Sequence, residues 1–82
     1  METILMEPGR YADRHALHEA LRRMLALPDH YGMNADALHD CLAERSQPVN
    51  VWVLGHAEGD TAKAWAACVQ VFEDLGGQVK QL

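Results

Sequence analysis

The segment Val49-Asn50-Val51-Trp52-Val53-Leu54 constrains this chain more than any other stretch. Nearly every position is β-branched, aromatic or apolar, the composition of a strand covered on both faces. Such a strand needs pairing partners and helices to hide it. The chain must supply them within 82 residues, 49% of them hydrophobic. That length sustains one core with roughly 4,900 Å² of folded surface, and a deep cofactor cavity would consume much of its interior. We therefore expect one domain over residues 1–82 and no cofactor.

Thr3 to Met6, closed by Pro8-Gly9, reads as a short first strand. Asp13 can cap a helix on which Leu17, Ala20, Leu21, Met24 and Leu25 recur at three- and four-residue steps, with Arg14, His18, Glu19, Arg22 and Arg23 on the other arc. Pro28 is expected to end it, and Pro28 to Met33 forms a ring-bearing loop whose Gly32 can take positive φ. Asn34 caps a second helix from about Ala35 to Glu44. Gly55 to Gly59 connects the apolar strand to a helix capped by Asp60 or Thr61, with Trp65, Cys68, Val69, Phe72 and Leu75 on its buried stripe. Gly76-Gly77 stops that helix, and Gln78 to Leu82 alternates as an edge strand would. Strand, helices, strand, helix, strand implies the α/β class, with a small three-stranded parallel sheet packed with helices.

The formal net charge of −5 argues against direct nucleic-acid binding, which needs a basic surface, and favours a basic partner. The N-terminal residues carry acid where an export signal needs base, and no apolar run nears the ~20 residues that span a bilayer. A cytoplasmic protein with no membrane partner is the expectation. Cys41 and Cys68 fit no disulfide scaffold or paired zinc spacing and read as reduced, packed thiols. His15 and His18 could share a helix face, but nothing at metal-ligand spacing completes a site. No catalytic motif occurs, and His39-Asp40 point about 100° apart, so neither a metal site nor an enzyme is expected. Trp52, Trp65 and Phe72 read as core.

One surface stands out. At ~100° per residue, burying Leu38, Cys41 and Leu42 turns Asp36, His39 and Asp40 outward together. His30-Tyr31-Gly32 runs directly into that helix, so rings and carboxylates should adjoin and could imitate a row of phosphates.

The stretch Leu25 to Leu42, with its pattern Leu-Pro-x-x-Tyr-Gly-x-Asn-x-Asp-Ala-Leu-x-Asp-Cys-Leu, closely resembles the barstar family of ribonuclease inhibitors, and a weaker match continues over Val69-Gln70-Val71-Phe72. The resemblance implies a barstar-like fold and a non-catalytic cytoplasmic inhibitor that plugs a secreted barnase-type ribonuclease. It places Asp40 on the family's central acid, Asp36 on a second interface acid, His30, Tyr31, Gly32 and Asn34 on the contacting loop, and Asp74 on a peripheral acid. His30 stands where the family has a loop tyrosine and His39 where it has a tryptophan, and the link from the central strand to the last helix looks shortened. The second cysteine also sits elsewhere. An interaction or immunity protein of the same fold for another basic partner is the alternative; a small hydrolase or metal protein is remote.

Overall fold

The computed structural model describes residues 2–82. In chain order it contains β1 (Glu2–Met6), a 3₁₀ turn (Pro8–Arg10), α1 (Arg14–Met24), α2 (Ala35–Ala43), β2 (Val49–Val53), α3 (Gly59–Asp74) and β3 (Val79–Gln81). The strands lie in the order β1-β2-β3 and both pairs are parallel, with Ile4 opposite Val51 and Val51 opposite Val79. This is the expected α/β class with a three-stranded parallel sheet. The surface, 4970 Å², agrees with the size expectation.

The expectation that β2 is covered on both faces fails. Val49, Val51 and Val53 are buried, but Trp52 between them is 49% exposed, and Leu5, its partner on β1, is 52% exposed. Successive strand side chains point to opposite faces, and the buried set shares one cluster with Leu17, Leu38 and Phe72 of the three helices. Among the described residues, all the helical cover packs on one face and leaves Leu5 and Trp52 uncovered on the other. Trp52 is thus not core, whereas Trp65 and Phe72 are, with ring centroids 6.3 Å apart.

Asp13 Oδ1 accepts from Ala16 N–H at 2.8 Å, and Asn34 Oδ1 accepts from Ala37 N–H at 2.8 Å, so both expected caps are in place. α1 nevertheless stops well before Pro28. Ala26 turns left-handed with φ 52°, and Leu27 N–H reaches back to the Arg22 carbonyl at 2.9 Å, a helix stop usually built on glycine. α3 ends on the same device with Gly76 at φ 92° and Gly77 N–H on the Phe72 carbonyl. It begins earlier than expected, after Glu58, which makes no side-chain cap. Residues 54–58 join β2 to α3 without a helix between them. Among the described residues no helix is long and apolar enough to cross a membrane.

Candidate functional site

α2 carries its apolar stripe, Leu38 and Leu42, into the core, and this fixes what the opposite arc presents. Asp36, His39 and Asp40 are exposed, as the helical angles required, and Asp36 lies in the first turn where the helix dipole favours negative charge. The loop before α2 is held from both sides. The Asn34 side chain caps α2 and donates to the Gly32 carbonyl at 3.1 Å, so it braces the loop. Arg22 of α1 grips Glu19 at 2.7 Å and also reaches Asp29, 3.4 Å away, at the start of the loop. The Arg22 guanidinium holds the Glu19 carboxyl down to about 2.

Loop and helix enclose a hollow of about 380 Å³ whose lining includes His30, Tyr31, Gly32, Asp40, Cys41 and Glu44. His30 from the loop and Asp40 from α2 both line it, so ring and carboxylate adjoin on one surface as expected. Asp36 and His39 share the exposed arc of α2 but do not line the hollow, and Asp74 stands apart on α3, where Gln70 donates to its carboxylate at 2.8 Å. Glu44 escaped the sequence reading. Its signal was available: Asp36, Asp40 and Glu44 follow one another at four-residue steps on one face. Among the described residues these three carboxylates make no hydrogen bond or ion pair, whereas Glu2, Glu19, Asp29 and Asp60 are each met by an arginine.

Two rings are placed otherwise than the sequence suggested. Tyr31 is only 5% exposed, so the loop presents His30 and Gly32 while Tyr31 points inward. His18, assigned to the wet arc of α1, is 3% exposed, and its Nδ1 lies 2.7 Å from the Tyr31 hydroxyl. That burial removes His18 from any shared face with exposed His15. Gly32 is also not the residue that turns left-handed; Met33 does, at φ 58°. What Gly32 provides is space, since a Cβ there would come 3.1 Å from the Ala37 Cβ.

Cys68 Sγ lies 4.0 Å from His18 Nε2, a pairing that can make a nucleophile when thiolate and imidazolium are favoured. Here burial acts against both ions. It pushes the Cys68 thiol up to about 12 and lowers His18 below its usual value, with Arg14 and His15 lowering it further. Cys41 is half-buried against the core, and both cysteines are free thiols. No group of three or more His, Cys, Asp or Glu among the described residues is arranged to hold a metal ion.

Comparison with known proteins returns a family model described as "Barstar (barnase inhibitor)", which matches residues 1–81. A protein of Bacillus subtilis (strain 168), described as "Putative ribonuclease inhibitor YrdF", is 40% identical over 42 residues. That match takes in 51% of this chain and 46% of the relative, less than half the relative's length.

Proposed function

The chain belongs to the barstar family, and on that footing we propose that it inhibits a secreted, barnase-like ribonuclease by filling the enzyme's active site with α2 and the loop before it. The observation that carries this reading is the row of unpaired carboxylates Asp36, Asp40 and Glu44 along α2 and its C-cap, of which Asp40 and Glu44 line the hollow. A ribonuclease site holds fixed positive donors for phosphate; Asp40, and Asp36 one turn away, offer carboxylates to those donors without a bond to cleave. His30, Gly32 and His39 form the contacting rim, and Asp74 contributes from the edge. Tyr31 serves from beneath and the exposed Asn34 from the surface, both by fixing the loop's shape. The partner is then a protein, neither RNA nor a membrane, and inhibition takes place in the cytoplasm before the enzyme leaves the cell.

The chain binds its target as one domain and turns over no substrate. The direct test measures RNA cleavage by purified barnase-type ribonucleases with and without this chain, alongside capture of basic secreted proteins. Stoichiometric inhibition that Asp40→Ala weakens supports the reading. Full cleavage at saturating protein, with capture of some other basic protein, would replace it by an immunity role toward that protein.

A further inference from the structure

The buried His18 belongs to a line of hydrogen bonds that runs from the core to the binding surface. Nδ1 lies 2.7 Å from the Tyr31 hydroxyl, which donates to the Asn34 carbonyl at 3.3 Å. The same carbonyl accepts the first backbone bond of α2, from Leu38 N–H at 3.0 Å, while the Asn34 side chain caps Ala37. On the other side Nε2 faces the Cys68 thiol.

A phenol has one proton, and this decides the direction of every bond. If Tyr31 gives its proton to Asn34, His18 must donate from Nδ1, and Nε2 is left to accept the Cys68 S–H. All three contacts are then made. The other tautomer spends the Tyr31 proton on Nδ1 and leaves oxygen facing oxygen at Asn34.

We propose that His18, as the Nδ1–H tautomer set by Tyr31 and Cys68, is a positioning residue for the partner-binding surface: it fixes the loop and the first turn of α2 through the Asn34 carbonyl. The groups around it are Arg14 and His15 on its own helix, Tyr31 from the loop and Cys68 from α3, with Asp60 and Lys63 of α3 lining a second hollow, separate from the one beside Asp40, that His18 and Arg14 also line. None of them is a carboxylate in contact with the ring. A neutral imidazole with one defined donor is the form that this pocket accepts.

The proposal rests on the inhibitor reading only for what the surface binds; its internal part is tested on the free protein. Nitrogen-detected NMR of the wild type at pH 7.5 reads the tautomer directly: Nδ1 protonated and Nε2 bare is expected, and the reverse pattern overturns the proposal. In Tyr31→Phe, amide exchange at Ala37 and Leu38 rises by about three- to tenfold, while Val51 and Val53 change only as global stability requires. Equal change at all four would reduce His18 and Tyr31 to ordinary packing. His18→Asn, whose amide can donate from about the Nδ1 position, retains more protection at Ala37 and Leu38 than His18→Leu; equal loss in both counts against the relay. The same variants weaken binding to an inhibited ribonuclease in the order of their exchange effects. Should wild type bind no ribonuclease, the inhibitor reading fails while the tautomer and exchange results still decide the relay.

Discussion

On the proposed reading, Asp40 and His18 divide the work of this surface between an exposed charge and a buried support. Asp40 touches nothing that stabilises the fold, so Asp40→Ala leaves the unfolding midpoint nearly unchanged, because no cavity opens. Affinity for the target ribonuclease should fall about 10- to 150-fold, the effect of deleting a hydrogen bond to a charged group, as isothermal titration would show. Unchanged affinity would remove Asp40 from the interface. His18 acts on stability instead. Its folded pKa lies below the 6.5 of an unconstrained histidine, so below that pH the unfolded chain takes up a proton that the folded chain resists. Stability is therefore full above about pH 6.5 and declines as pH falls toward the folded pKa. Urea unfolding at pH 7.5, 6.5 and 5.5 should show this slope in wild type and a shallower one in His18→Asn. Glu19 acts in a separate window: its depressed carboxyl contributes stability above about 4.5 that is lost as pH falls toward 2.

At the level of helices and strands, the periodic features were legible in the sequence and the mixed ones were not. Three strands and three helices follow from apolar spacing, and the Asp13 and Asn34 caps from side-chain chemistry. His18 lies about 20° from Leu25 around the helix, on the buried side, and only its polarity argued for water. Asn50, a polar residue within the valine run, was the clue that alternate side chains of β2 are not enclosed; it sits on the Trp52 face and accepts from Gln78 N–H at 2.9 Å. The α1 stop at Ala26 carries no glycine and could not be read at all. The junction from α3 into β3 is the least forgiving turn. A Cβ on Gly77 would collide with the Val49 carbonyl and come 3.0 Å from the Phe72 carbonyl. Gly77→Ala should thus destabilise by about 1–3 kcal/mol, measured by denaturant unfolding, through separation of β3 from β2. Stability within about 0.5 kcal/mol of wild type would show that the turn can relax.

For the molecule as a whole, a net charge of −5, with the unpaired Asp36, Asp40 and Glu44 aligned along α2 and its C-cap, would set how the proposed cationic partner arrives. Long-range attraction is screened over ~8 Å at physiological ionic strength, so the association rate should fall steeply with added salt while dissociation changes little. Stopped-flow mixing at several salt concentrations separates the two; a salt-independent on-rate would rule out steering. The uncovered face of the sheet lies across the core from the helices, and it equips the protein with its own optical reference. Trp52 emits from a watery setting remote from α2, whereas Trp65 emits from within the packed interior beside Phe72. A red-edge fluorescence signal that stays constant during complex formation, and rises above the Trp65 band only when the chain unravels, would distinguish docking from denaturation in a single cuvette.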